Sequence, residues 1–311
     1  MCSEISLYSS KDFGKIPWPD TENGRYAKNF ITPLLKESTQ YYIQNVDSKL
    51  YVLIAGDLVL PVTVNEKGYK NSYVVSSLGF IQYTKEEMEK TKIPIVKPLL
   101  NVLLSALESL FKLTKMNQVV SVNNWMLSTN LYPKCDPQIF RYIHEFLLRR
   151  FPQHSIIFRS LSTTLNNDLQ NVLIKNGFTN IVFRQVYLFD PKRWKKLSAK
   201  ARWNVRNDRK LINKHNYRVL GHNEITEKHT PRIHQLYNLL YLEKYTYLNP
   251  QFTPEMIRDA IENKTLTLIA IEKEEVLDGV VGFFQRDGIM TTPLLGYDIY
   301  KDQSLGLYRM L

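Results

Sequence analysis

The second half of the chain reads as strand, helix, helix, strand, strand, strand, then a turn and a last helix. This order of elements limits the fold more than any single short motif does. Tyr217–Leu220 is the first strand-like run. A helix is expected from about Pro231 to Tyr247, where Ile233, Leu236, Tyr237, Leu240 and Tyr241 recur on one face. Thr253-Pro254-Glu255 opens a shorter helix, with Thr253 as N-cap, Pro254 at the first helical position and Met256 at the third. The runs Leu266–Ile271, Val276–Gln285 and Ile289–Tyr297 follow, joined by short acidic or Asp-Gly turns. Ser304–Leu311 begins a helix.

The first half alternates differently. Its first 40 residues are rich in turn formers: Pro17, Pro19, Asn23-Gly24 and Pro33. Leu50–Ala55 and Leu58–Val64 flank Gly56-Asp57, a two-residue hairpin turn of the Gly-X kind. Tyr73–Ser77 is a third β-rich run. Pro98–Leu113 has helical period through Leu99, Leu103, Leu107 and Leu110. Val119–Val122 reads as a strand and Ile139–Phe151 as a helix, with Asp136 as N-cap and Pro137 as its first residue. Ser155–Phe158 is a strand. Asn167–Lys175 is a helix stopped by Asn176-Gly177, and Phe178–Phe189 reads as a long strand. Strands in a meander followed by helix–strand units predict an α/β fold with a mixed sheet.

A length of 311 residues makes two domains the expectation. Asp190-Pro191 marks the boundary, because a basic amphipathic helix starts there. Ten Lys/Arg and one acid, Asp208, lie between Pro191 and Lys214, so this segment carries +9 of the net charge of +11. Trp194, Leu197, Ala201, Val205 and Ile212 form its apolar stripe, and Lys195, Arg202, Arg206 and Arg209 lie largely off it. The expected division is 1–190, a connecting helix over 191–215, and 216–311.

The remaining features mainly exclude. Two cysteines, Cys2 and Cys135, give no disulfide framework and point to a reducing cytoplasm. Lys134 beside Cys135 is a setting that would lower the thiol pKa, though a loop cysteine is the simpler reading. The longest apolar runs are broken by Asp57 and Lys97, too soon for a membrane span, and Met1-Cys2-Ser3-Glu4 starts no signal peptide. No histidines have metal-ligand spacing. P-loop, nucleophile-elbow and dinucleotide fingerprints are absent from the sequence.

Gln303-Ser304-Leu305-Gly306-Leu307-Tyr308 follows the third consecutive strand. Together with Gly279–Phe284, Met290–Asp298 and Gly306–Leu311, it resembles the GNAT-type acyl-CoA N-acyltransferases, and within them a tandem GNAT and Fem-like group with two such halves. Gln303 and Gly306 fit the family's Gln/Arg-x-x-Gly-x-Gly/Ala pattern; Tyr308 departs from it. The Asn176-Gly177-Phe178 and Tyr187–Asp190 segments are similar in outline. So is the basic helix with Ser198, Lys200, Arg202, Arg206 and Arg209. The resemblance implies two tandem GNAT-like mixed-sheet domains, the second incomplete, since no C-cap follows Leu311 and the family continues through further strands.

The resemblance also implies chemistry: direct attack of an amine on the thioester of acetyl-CoA or another acyl-CoA, with a small-molecule or peptide amine as acceptor. Backbone amides over Gln303, Ser304, Leu305 and Gly306 would cradle the pyrophosphate. Tyr297 and Asp298, closing the last strand, would lie at the thioester, with Asp298 as amine holder or base. Set against that, Ser304 also reads as a simple N-cap and Asp298 as a turn former. The basic helix has three readings: a solvated face over a buried stripe, a contact for coenzyme A phosphates or an acidic substrate, or an RNA contact that would fit Fem-like aminoacyl transfer from charged tRNA. An inactive binding protein is the non-enzymatic alternative.

Overall fold

The computed structural model describes residues 4–90 and 97–311. Cys2 and the opening residues of the Ile93–Leu107 run lie outside them. Strands β1 (Ile5–Tyr8), β2 (Lys49–Ala55), β3 (Leu58–Asn65), β4 (Val119–Val122) and β5 (Ser155–Phe158) form one sheet in that spatial order. The first three pairings are antiparallel and β4–β5 is parallel, so this sheet is mixed, as expected. The hairpin turns at Gly56-Asp57, where Ala55 faces Leu58. Strands β6 (Arg218–Leu220), β7 (Thr267–Lys273), β8 (Val276–Arg286) and β9 (Ile289–Tyr297) form a second sheet. Its pairings are all antiparallel among the described residues, which corrects the expectation of a mixed sheet there.

Helices α1 (Glu22–Lys36), α2 (Thr39–Tyr42), α3 (Ser77–Lys90), α4 (Lys97–Leu113), α5 (Ile139–Arg150) and α6 (Thr163–Lys175) belong to the first half. In the second half are α7 (Ala199–Lys214), α8 (Thr230–Asn238), α9 (Pro254–Glu262) and α10 (Leu307–Met310). Local signals placed several of these well. The Thr253 side chain accepts from the Met256 amide to cap α9. After α6, the Phe178 amide bonds back to the Leu173 carbonyl, the closure expected of Asn176-Gly177.

Four expectations need correction. Residues 178–190 adopt no regular structure and, past the half-buried Phe178, are exposed, so no long strand forms there. Tyr73, Val74 and Val75 are buried in irregular backbone, not in a strand, because Ser72, Ser76 and Asn71 tie this stretch to Leu248, Asn117 and Asp47. The basic segment is two pieces: a 3-10 turn at Pro191–Lys196 capped by Asp190, and α7 capped by Ser198. Its stripe is not buried. No residue of α7 is, and only its C-terminal end packs, where Ile212 joins Tyr217, Ile271 and Leu307. The helix expected up to Tyr247 turns at Leu239 into a π-helical stretch, Leu239–Tyr245.

The two sheets fall on either side of the expected boundary, yet they share one core. Ile31, Val52 and Trp125 from the first half belong to the same buried cluster as Leu236, Ile257, Ala270 and Phe284 from the second. Backbone bonds cross as well: the Gln44 amide donates to the Gln251 carbonyl and the Thr253 amide to the Tyr42 carbonyl. In the second half Gly296 lets β9 lie directly on α8. A Cβ there would meet the Leu236–Tyr237 backbone at 2.6–2.8 Å.

On α9, half-buried Asp259 is bonded to Asn263 Nδ2 at 2.6 Å. Burial, assisted by Glu262, raises its carboxyl from 3.8 to about 6. A folded-state pKa above the unfolded one gives a stabilising contribution that is complete below 3.8 and is lost as pH rises through about 6. Asp259→Asn is therefore expected to raise Tm at pH 7.5 and to leave it nearly unchanged at pH 4. Equal shifts at both pH values in thermal melts would contradict this.

Candidate functional site

The expected site residues lie around the end of β9, and a charged cluster sits beside them. Asp278, near the start of β8, is fully buried. Its Oδ2 accepts from the Tyr217 hydroxyl at 2.6 Å and from Lys301 Nζ at 2.9 Å, and Arg232 Nη2 lies 3.6 Å from Oδ1. The Asp298 amide donates to the Asp278 carbonyl at 2.9 Å, so β8 and the β9 exit are held together at this point. Asp298 Oδ2 accepts from Arg232 Nη2 at 2.8 Å and its Oδ1 from the Tyr300 amide at 3.0 Å. Two carboxylates thus meet two cations.

The electrostatics follow from this packing. Burial opposes the charge on Asp298, but the Arg232 and Tyr300 hydrogen bonds, with Lys301 nearby, hold its carboxyl below the usual range. The Tyr217 phenol is pushed up by burial and by its bond to the Asp278 carboxylate. Asp298 is an Asx-turn former and an ion-pair partner at once. Each of its oxygens accepts one of these hydrogen bonds, which fixes the carboxylate at the β9 exit with a lone pair on each oxygen left over.

Tyr297 is less constrained. Its hydroxyl accepts from Lys244 Nζ at 2.9 Å, and its ring sits 6.1 Å from that of Tyr308. The same bond raises the Lys244 pKa, keeping an ammonium beside the phenol. Lys244 comes from the π-helical stretch, which brings the residues after α8 over the end of β9. Glu243, from the same stretch, accepts from the Tyr300 hydroxyl at 3.0 Å.

Gln303–Leu305 forms one 3-10 turn. Asp302, not Ser304, is its cap: Asp302 Oδ1 accepts from the Ser304 amide at 2.8 Å. The Leu305 amide donates to the Asp302 carbonyl and the Gly306 amide to the Gln303 carbonyl, both at 3.1 Å. The amides of Ser304, Leu305 and Gly306 are therefore engaged inside the turn. Those of Leu307 and Tyr308, just beyond it, have no partner among the described residues. Gly306 is left-handed (φ 69°), and a Cβ on it would come 3.1 Å from Leu211 of α7. Arg309 pairs with Asp208, tying α10 to the basic helix.

A cleft of 530 Å³ opens beside Arg232, walled by Arg218, Lys228, His229, Glu272 and Leu277. The sequence reading missed Arg232, Asp278, Lys301, Tyr217 and Lys244. One signal was available: Asp278 interrupts the apolar run Val276–Val281, and a charge at an inward strand position needs a partner. Cys135 is not activated, because the protein around it and Asp136 raise its thiol to about 11. No metal-binding group of three or more His, Cys, Asp or Glu exists among the described residues, and no helix among them is long and apolar enough to cross a membrane. No family model, no curated protein and no solved structure matches this chain.

Proposed function

We propose that the chain is an acyl-CoA-dependent N-acyltransferase of the GNAT type, acting on an amine. The observation that carries this reading is the junction after β9. An antiparallel three-strand meander ends at Tyr297 and leads through a left-handed Gly306 turn into α10, whose first amides, on Leu307 and Tyr308, are unpaired. That is the backbone chemistry a pyrophosphate would use, shifted two residues beyond the turn expected from the sequence. The Lys244 ammonium donates to the Tyr297 oxygen, which leaves the phenol hydrogen available to a departing thiolate. Asp298 serves by fixing Arg232 and the β9 exit.

Calorimetric titration with acetyl-CoA tests the reading. Saturable binding is expected, weakened by about tenfold or more in Gly306→Val, because a β-branched side chain cannot hold the left-handed turn beside Leu211. No saturable binding in the wild type, or equal binding by the variant, overturns it. Salt-sensitive binding of charged tRNA in place of acetyl-CoA would move the function to Fem-like aminoacyl transfer, with the exposed cations of α7 as the contact.

A further inference from the structure

A buried cation with unpartnered donors lies in the other half. Arg159 directly follows β5, and Asn123-Asn124 directly follow β4. These two strands are parallel, and their last residues, Val122 and Phe158, are register partners, so the three side chains start from one level at the carboxyl ends of the pair. The loops that leave a parallel pair emerge on the same side, so they bring these side chains together beyond the sheet edge. The backbone here is also unusual: Asn123, Met126 and Ser160 all have left-handed φ, at 55°, 56° and 64°.

Arg159 is fixed in place by its neighbours. Its carbonyl accepts from the Tyr132 hydroxyl at 2.9 Å. Its Nη1 donates to the Val74 carbonyl at 2.5 Å and to Asn124 Oδ1 at 3.1 Å. Asn124 is itself held, donating to Thr63 Oγ1 and the Val74 carbonyl and accepting from the Met126 amide. The other two guanidinium nitrogens, Nε and Nη2, are buried and have no hydrogen-bond partner. They are not an arbitrary pair. Nε–H and Nη2–H lie on one edge of the guanidinium and point the same way, forming the fork that grips two oxygens of a carboxylate or phosphate.

Among the described residues no acid is paired with this charge. The guanidinium pKa is lowered to about 10, first by burial; Tyr73 and Tyr132 oppose the shift, and the nearby Arg184 adds to it. The Phe183 ring lies 5.8 Å from the guanidinium carbon, and Arg184 is anchored to the Ser128 carbonyl and Thr129 Oγ1. These contacts pin the otherwise irregular 178–190 segment over Arg159. Asn130, whose amide donates to Ser160 Oγ, adds a second buried donor without a partner, Nδ2. A buried cation with its bidentate edge free and no carboxylate beside it is costly unless an anion completes it.

We propose that Arg159 is the centre of an oxyanion-binding site at the carboxyl ends of β4 and β5, which takes a carboxylate or phosphate group on its Nε/Nη2 edge. The site is independent of the acyl-CoA reading, since it lies in the other sheet and uses none of the residues around Gly306. The test titrates the full chain separately with inorganic phosphate and with acetate, each against sodium chloride at constant ionic strength. It follows Tm and the arginine Nε–Hε resonances. A saturable rise in Tm is expected with one anion, together with movement of a single buried arginine resonance. The anion that binds more tightly identifies the ligand group as phosphate or carboxylate. Arg159→Lys keeps the charge but lacks the fork, and should weaken binding by about tenfold or more. No saturable response to either anion in the wild-type chain, or an equal response in Arg159→Lys, overturns the proposal.

Discussion

Trp125→Ala is expected to cost about 3–5 kcal/mol and to lower Tm on the order of 10 °C, in a single transition that involves both halves of the chain. Trp125 is fully buried. Its indole N–H donates to Asn123 Oδ1 at 2.8 Å. Around its ring stand Phe30 at 5.2 Å and Tyr26 at 5.4 Å from α1, with Phe284 at 5.7 Å from β8 and the Arg286 guanidinium at 4.8 Å. Arg286 donates on to the Leu131 carbonyl and to Asn23, and the Tyr26 hydroxyl to the Thr265 carbonyl. One side chain therefore joins the core of the first sheet to the back of the second. If the halves were autonomous domains, the substitution would lower the melting of the first and leave the second unmoved. Hydrogen exchange read separately on β3 and β8 distinguishes the cases, and an unchanged β8 would refute the shared core.

That joint core was not legible in the sequence, and the reason is physical. Helix starts, turns and periodicity are local, so Thr253 as the cap of α9, the Gly56-Asp57 hairpin, β4 and β5 could be read to within a residue or two. The segment 178–189 has the composition of a strand, but strand propensity measures fit to a sheet face, and no described strand pairs with it. Tyr73–Ser77 shows the same limit: its β-branched residues mark burial, which irregular backbone also supplies when side chains satisfy its polar groups. The stripe on α7 was read as a buried face, yet the neighbour it would need is present only at Leu211 and Ile212.

The site divides along the same line. Tyr297, Asp298 and Gln303–Gly306 are neighbours in sequence and were found together. Arg232, Asp278 and Tyr217 reach them only through the fold, and no spacing rule connects residues 61 or 66 positions apart. Arg159 was equally hidden, because what distinguishes it is a carboxylate that is absent from its surroundings. A one-dimensional pattern records which charges a chain has, not which of them are paired.

Asp278→Ala is expected to destabilise the chain by about 3–5 kcal/mol, more than Asp298→Ala, because the deleted charge is wholly buried, Tyr217 and Lys301 both donate to it, and the Arg232 guanidinium lies 3.6 Å away. Without Asp278, the Tyr217 hydroxyl loses its acceptor inside the small core it shares with Ile271 and Leu307. Arg232 keeps Asp298, and Lys301, which is 40% exposed, can turn to solvent, so these two cations soften the loss without removing it. Asp278→Asn retains an acceptor for Tyr217 and should recover part of the stability. The substitution pair also separates structure from chemistry at the β9 exit. If the Asp278 cluster only braces the Tyr297–Gly306 junction, Asp278→Asn should speed amide exchange at that junction in step with its loss of stability, and Tyr297→Phe should leave stability nearly intact. Urea unfolding of the four variants gives the ranking. An Asp278→Ala cost below about 1 kcal/mol would mean that the buried carboxylate is compensated elsewhere and that the ion cluster does not hold the junction.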